Sequence, residues 1–317
     1  MLWPDQKPYY SLNAYYHQLF GQKTYKIALD IGLTCPNRDG TLDDRGCIFC
    51  SGSGSGDFAT PSASTLERQL EKAKNLLLKK YEGHHFIAYF QSFTNTYGPI
   101  DYIRATYRSI IQRPDIVGLS IATRPDCLSK EILDLLEELN QIKPVWVELG
   151  LQSIHEKTSS FIRRCYPLEV YDHAVQSLHA INIKVVVHLI AGLPTETDAQ
   201  FLESVAYVHQ SKVHGIKIQL LQILRNTDLG RLYEEKPFRV LSLDTYANLI
   251  VTAIANISPN MVIHRITGDA PKEDLIAPLW SLNKRGVLNK IHQCFKDRDL
   301  WQGKLIENNE RRYEHDR

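Results

Sequence analysis

Between residues 26 and about 224, short runs of β-branched and aliphatic residues alternate with longer stretches in which apolar positions return every three or four residues. The first pattern is that of buried strands and the second that of amphipathic helices. Strands are expected at 26–31, 86–90, 118–122, 145–149, 184–190 and 215–221, and helices at 64–80, 100–112, 130–139, 168–181 and 198–212. Ser129 ahead of Ile132, and Thr197 ahead of Phe201, are placed to cap two of these helices. Repeated β-then-α steps with right-handed crossovers imply an α/β fold, a parallel sheet curled into a partial (βα)6 barrel. Beyond about residue 237 the pattern changes, with helical stretches at 244–257 and 289–295 around a strand-like MVIHRITG. This tail is expected to form an α+β cap over the barrel mouth. The chain thus divides into an N-terminal extension at 1–25, a core at 26–236 and a C-terminal cap and substrate region at 237–317.

Composition narrows the class without naming the chemistry. With 43% hydrophobic and 23% charged residues over 317 positions, the chain has the profile of a globular enzyme. Its formal net charge of +1 leaves any nucleic-acid partner to local basic patches. Nothing approaches the ~18 uninterrupted apolar residues of a membrane span, and the first residues lack a basic-then-apolar leader, so a cytoplasmic protein without a membrane partner is expected.

In barrels of this kind active sites gather where strands end, which directs attention to 34–50, 91–95, 123–126, 152–153, 192–196 and 222–227. The first of these holds Cys35, Cys47 and Cys50, three of the six cysteines, in the spacing C-x11-C-x2-C. A closed zinc site takes four ligands, and an ordinary four-iron cluster takes four cysteines. Three thiolates would leave one iron of a 4Fe-4S cluster open to a chelating molecule such as S-adenosylmethionine (SAM). The spacing alone also admits zinc completed by His84 or His85, or a loop of free thiols. Cys127, Cys165 and Cys294 stand alone in sequence and read as packed or surface residues. The SGSGSG at 51–56 is a turn whose backbone can approach a ligand closely.

Placed after the first strand of a βα barrel, this cysteine loop resembles that of the radical SAM superfamily, and within it the Elp3-like group. SIATRPD at 120–126, VELGLQS at 147–153 and HLIAGLPTET at 188–197 are similar to the third-, fourth- and fifth-strand segments of Elp3-like cores. The N-terminal YYSLNAYYHQLFGQKTYKIALDIGLTCPNRDG and the tail segments VIHRITGDAP and LIAPLWSLNK resemble the bacterial YtqA/YhcC (MnmL-like) group over nearly the whole chain. Two features depart from the superfamily's commonest pattern. The gap between the first two cysteines is stretched, as in Elp3-like proteins. FQSFTN at 90–95 stands where many relatives carry GGE.

The resemblance implies a 4Fe-4S cluster on Cys35, Cys47 and Cys50, shielded by Phe49, and reductive cleavage of S-adenosyl-L-methionine to a 5′-deoxyadenosyl radical. It implies SAM contacts from Gln91 or the carbonyls at 91–93, and from Thr123, Arg124 and Asp126, which otherwise make a turn and helix start. Glu148, Gln152 and Ser153 would meet the ribose hydroxyls. Arg163 or Arg164, on the following helix, would pair with the carboxylate unless they are a solvated face. Gly192 with Pro194 would let backbone approach the adenine, while Glu196 caps the next helix. His188, if not a core histidine, would face substrate or SAM. His264, Arg265 and Asp269 would recognise substrate or tie a turn, and the basic run NKRGVLNK at 283–290 and the ENNERRYEHDR end at 307–317 would contact phosphates or water.

For the MnmL-like group the implied substrate is tRNA, and the implied step converts a 5-carboxymethylaminomethyl wobble uridine to its 5-aminomethyl form. Hydrogen abstraction beside the carboxylate, oxidation to an imine and hydrolysis would accomplish it, with a reducing donor such as flavodoxin or ferredoxin and with Arg265 on the carboxylate. Two other readings stay open: a porphyrinogen oxidase or haem chaperone of the same superfamily, and a zinc-stabilised RNA-binding protein without turnover.

Overall fold

The computed structural model describes residues 3–52, 54, 64–78 and 85–306. Among these, the strands are β1 (Tyr25–Leu29), β2 (Phe86–Phe90), β3 (Ile116–Thr123), β4 (Val145–Gln152), β5 (Lys184–Ala191), β6 (Gly215–Leu220), β7 (Ile223–Leu224), β8 (Val262–Arg265) and β9 (Leu275–Ala277). The helices are α1 (Leu12–Phe20), α2 (Leu66–Leu78), α3 (Ile100–Ile111), α4 (Lys130–Ile142), α5 (Glu156–Phe161), α6 (Leu168–Ala180), α7 (Asp198–Gln210), α8 (Asp228–Glu235), α9 (Leu243–Ala255) and α10 (Lys284–Asp297). A seven-stranded sheet runs β1-β2-β3-β4-β5-β6-β8, and β7 pairs with β9 in a small antiparallel ribbon. The pairings β1–β2, β2–β3, β3–β4 and β6–β8 are parallel. The expected α/β class holds.

Each of the six expected strands is present. The seventh, β8, comes from the tail, whose MVIHRITG joins the sheet beside β6 instead of belonging only to a cap. Both expected caps form, Ser129 accepting from the Ile132 amide at 3.4 Å and Thr197 accepting from the Gln200 amide at 3.2 Å. In the second, Gln200 returns the bond to the Thr197 backbone, so the capping partner is Gln200 and not Glu196. Helix α10 starts at Lys284, well before the apolar pattern at 289–295, because Asn283 caps it by accepting from the Gly286 amide.

The residues pack as two compact units, one of Met1–Tyr15, Gln152–Phe161 and His188–Arg317, the other of Tyr16–Leu151 and Ile162–Val187. In the second unit Ile27, Leu29, Phe90, Ile121, Trp146 and Leu149 are buried along the strands, with Leu135 and Leu139 of α4 and Ile110 of α3 buried beside them. Such near-continuous apolar runs are what parallel strands covered on both faces require.

In the first unit a buried glutamine fastens distant stretches of chain. Gln302 accepts from the Tyr10 amide at 2.8 Å and donates to the carbonyls of Ser258 at 2.6 Å and Met261 at 2.7 Å. Gln302→Leu would leave all three backbone groups without that partner, at about 1–3 kcal/mol for each group that stays dry. A loss of roughly 3 kcal/mol in urea denaturation is expected, and a loss below about 1 kcal/mol would show that water replaces the amide.

Candidate active site

The cysteine loop leaves β1 at its C-terminal end and is shaped by short-range bonds. The Arg38 amide donates to the Cys35 carbonyl at 2.8 Å, the Gly46 amide to the Asn37 carbonyl at 2.6 Å and the Cys50 amide to the Cys47 carbonyl at 3.0 Å. Asn37, fully buried, donates through Nδ2 to the Arg163 carbonyl at 2.7 Å and to Cys47 Sγ at 3.6 Å. Arg38 donates to the carbonyls of Cys50 at 3.1 Å and Ser51 at 2.6 Å. Neither residue was expected from sequence, although both lie in the CPNR that follows the first thiol.

The electrostatics of the loop suit thiolates. A hydrogen bond from Cys50, with Arg124, Asn37 and Arg38 nearby, brings the half-buried Cys47 thiol down to about 7, while Cys50, as the donor of that pair, is pushed well above the ordinary thiol range. Among the described residues no three His, Cys, Asp or Glu side chains already stand in metal-holding geometry. The donor set nevertheless fits an iron–sulfur group, with soft thiol ligands beside guanidinium groups that offset thiolate charge. It fits zinc through His85 less well. That residue enters β2 at the end where Tyr25 pairs with Phe86, so a five-residue strand, roughly 16 Å, lies between it and the exit of β1. His85 is also engaged by Gln22 at 2.5 Å, and His84 lies outside the described residues.

Around this loop the unit gathers several expected residues. Arg124 forms a two-pronged pair with Asp126 at 2.8 and 2.7 Å and donates to the Arg164 carbonyl at 3.0 Å. Thr123, buried, bonds Thr96 Oγ1 at 2.5 Å, and Thr96 in turn donates to the Cys127 carbonyl at 2.6 Å. Pro125–Cys127 make a single 3-10 turn. Arg163 and Arg164 are not on a helix. They occupy the turn between α5 and α6, with Arg163 at φ 56° and Cys165 at φ 62°. Arg164 is buried, donates to the Tyr166 carbonyl at 3.1 Å and lies over the Tyr166 ring, which excludes a solvated face. Cys165, isolated in sequence, shares the Arg163 carbonyl with Cys47, at 3.3 and 3.8 Å. Burial and the Asp126 charge push Cys127 up to about 12, the behaviour of a thiol that stays protonated. Gln91 follows β2 and places its amide 3.4 Å from the Leu29 carbonyl.

Glu148 is fully buried and bound to Lys26 and Ser120. Lys26 is a functional candidate that sequence reasoning passed over; the usable signal was a lysine among the apolar residues of YKIAL.

The other unit holds the remaining candidates. Gln152 ends β4 in the left-handed region at φ 69°, and Gly192 follows β5 at φ 92°. A Cβ at Gly192 would come 3.0 Å from Leu241 Cδ1. Ser153, buried, donates to Glu196 and accepts from the His155 amide at 3.0 Å. His188 lies half-buried within β5. His264 on β8 meets His214 edge-on at 6.5 Å between ring centroids. Arg265 pairs with Asp269 at 2.8 Å, and Lys284 at the start of α10 pairs with the same carboxylate. The stretch 307–317 lies outside the described residues, as do Ser53, Ser55 and Gly56 of the SGSGSG turn.

The chain matches the radical SAM superfamily over residues 35–208 and the radical SAM C-terminal domain over 213–297. It belongs to the radical SAM superfamily. Members of that superfamily use a 4Fe-4S cluster and SAM, and the partial barrel expected from the sequence is their fold. The chain is similar to the uncharacterized protein YtqA of Bacillus subtilis, at 43% identity over 302 residues, 95% of this chain and 94% of that one. A more distant likeness, 31% over 196 residues, is to a tRNA uridine(34) acetyltransferase of Methanocaldococcus jannaschii, covering 56% of this chain and 35% of that protein. Among solved structures, the archaeal Elp3 of Methanocaldococcus infernus with its N-terminus deleted superposes with a TM-score of 0.65 at 16% identity, over 88% of this chain and 64% of that one. At that identity the likeness is one of fold. No described helix is long and apolar enough to cross a membrane.

Burial raises the Glu196 carboxyl above its ordinary value of 4.5, with Ser153 acting in the opposite sense. A carboxyl raised on folding contributes stability below its unfolded value that is lost as pH climbs through the folded one. Glu196→Gln keeps an acceptor for Ser153 and removes the titration. The variant should match the parent near pH 4.5 and exceed it at pH 8 in urea denaturation, whereas parallel pH profiles would mean that Glu196 is solvated in the folded state.

Proposed function

We propose that this chain is a radical SAM enzyme that holds a 4Fe-4S cluster on Cys35, Cys47 and Cys50 and acts in the cytoplasm on the wobble uridine of tRNA. The observation that carries the first half is the loop itself, in which Cys47 and Cys50 are hydrogen-bonded within reach of Arg38 and Arg124. When bound, the cluster supplies an electron from a donor such as flavodoxin or ferredoxin to cleave SAM and so provides a radical for hydrogen abstraction. The chain's own residues bind, orient and exclude water. Asn37 and Arg38 fix the loop backbone, and Phe49 shields it. Arg164 is held by Tyr166 and Arg124, and Arg163, Thr123 and Gln91 are assigned to SAM from their places after the strands of that unit. Gln152, Ser153 and Gly192 are assigned hydrogen bonds and close backbone approach to SAM from their places at strand ends.

The tRNA reading draws its support from the tRNA uridine(34) acetyltransferase likeness and from the cations of the C-terminal residues. Arg265 and Lys284 share one carboxylate, so the three groups carry a net positive charge suited to a phosphate or carboxylate. Within this reading, the substrate side chain is 5-carboxymethylaminomethyl and the product 5-aminomethyl uridine.

After anaerobic reconstitution the protein should carry about four irons and release 5′-deoxyadenosine from SAM. Cys35→Ala, Cys47→Ala and Cys50→Ala should each abolish both, while Cys294→Ala should change neither. Cluster formation in a variant lacking all three ligands would refute the assignment. Deleting the gene should leave carboxymethylaminomethyl uridine in bulk tRNA and deplete the aminomethyl-derived nucleosides, read by mass spectrometry. Unchanged nucleosides alongside robust SAM cleavage by the pure protein would remove tRNA as substrate and leave the radical SAM reading intact.

A further inference from the structure

One side chain of the cysteine loop makes more hydrogen bonds than holding the loop requires. Asn37, two residues after Cys35, is fully buried, and its side-chain amide has two hydrogens to place. One goes to the Arg163 carbonyl at 2.7 Å. A carbonyl oxygen only accepts, so the Asn37 atom facing it is the nitrogen, and the orientation of the amide is fixed. The same nitrogen is hydrogen-bonded to Cys47 Sγ at 3.6 Å, which uses the second hydrogen.

Tying the loop to the Arg163 turn would take a single donor, such as a serine or threonine hydroxyl. Asparagine makes the tie while its own Oδ1 stays buried with no hydrogen-bond partner among the described residues. That is a costly feature which a structural tie does not call for. What the amide adds is a second N–H, and its acceptor is sulfur.

Cys47 also takes a hydrogen bond from Cys50 and itself donates to the Arg163 carbonyl at 3.8 Å. Both of these depend on thiol protons, which leave when thiols become metal ligands. The Asn37 hydrogen stays, because a side-chain amide does not titrate. In the ligated loop the Cys47 sulfur therefore keeps Asn37 as a donor. A donor to a cluster sulfur stabilises the state that puts more negative charge there, which is the reduced one.

We propose that Asn37 is a positioning residue for the cluster, donating its second N–H to the ligating sulfur of Cys47 and raising the potential at which the cluster takes up its electron. This rests on the assignment of the cluster to Cys35, Cys47 and Cys50 and deepens it by naming a group outside the ligands that sets how readily the cluster is reduced.

The test uses the full chain, reconstituted anaerobically, and reads the reduced cluster by electron paramagnetic resonance. In protein labelled with nitrogen-15 only in asparagine side-chain amides, the cluster should show a coupling to the label, and Asn37→Leu, which keeps the volume and removes both donors, should abolish it. In a potentiometric titration without SAM, Asn37→Leu should make reduction about tenfold less favourable, a shift of about 59 mV to more negative potential for one electron. Cys165→Ala takes a different donor from the Arg163 carbonyl and none from Cys47, so its potential should stay at the parent's value. Equal shifts in the two variants would assign the effect to the turn and overturn the proposal. An Asn37→Leu protein with full iron and the parent's potential overturns it as well. A labelled parent whose cluster shows no coupling does the same, and that measurement decides even where the leucine variant takes up no iron. A parent that assembles no four-iron cluster overturns the cluster assignment itself, and this inference with it.

Discussion

The cysteine loop hangs on one carbonyl. The Arg163 oxygen accepts from Asn37 Nδ2, Cys47 Sγ and Cys165 Sγ, and it is turned toward them because Arg163 and Cys165 both take left-handed backbone angles. Such angles in side chains other than glycine cost on the order of 1 kcal/mol each and persist only where surroundings enforce them. Here the enforcement is visible. Arg164 between them is buried against Tyr166, its carbonyl is bound by Arg124, and the Ile48 amide reaches the Ile162 carbonyl at 3.2 Å. The ligand loop after β1 is therefore shaped by a turn more than a hundred residues downstream.

That dependence orders the roles of the arginines. Arg124 pairs with Asp126, reaches the Arg164 carbonyl and places positive charge near Cys35 and Cys47, which in turn favours the charged guanidinium. A fork already filled by Asp126 is a poor first partner for a ligand carboxylate, so its place in the site is to hold the turn and to bias the thiols. The same logic applies to Glu148, whose contacts with Lys26 and Ser120 make it a positioning group.

What could be read from the sequence was what local chemistry determines. The β-branched runs gave the strands because a parallel strand covered on both faces must be apolar throughout, and the cysteine spacing gave the loop. Ser129 and Thr197 were legible as caps because a cap bonds three residues ahead. The misses share the opposite property. Arg163 and Arg164 read as a helix because nothing local announces a left-handed turn without glycine. Glu196 read as a cap because its actual partner, Ser153, is 43 positions away. Lys26 drew no notice because its neighbours come from three other strands, and MVIHRITG could not show that its strand partner was β6.

The cationic grouping of the C-terminal residues is distinguished from the cysteine loop by its charge. Arg265 and Lys284 converge on a single carboxylate, and Arg285 beside them is exposed, so this cluster keeps a surplus that an anion can use. Lys284 is lowered by burial and by Arg265, so its ammonium is held at some electrostatic disadvantage that a further negative group would relieve.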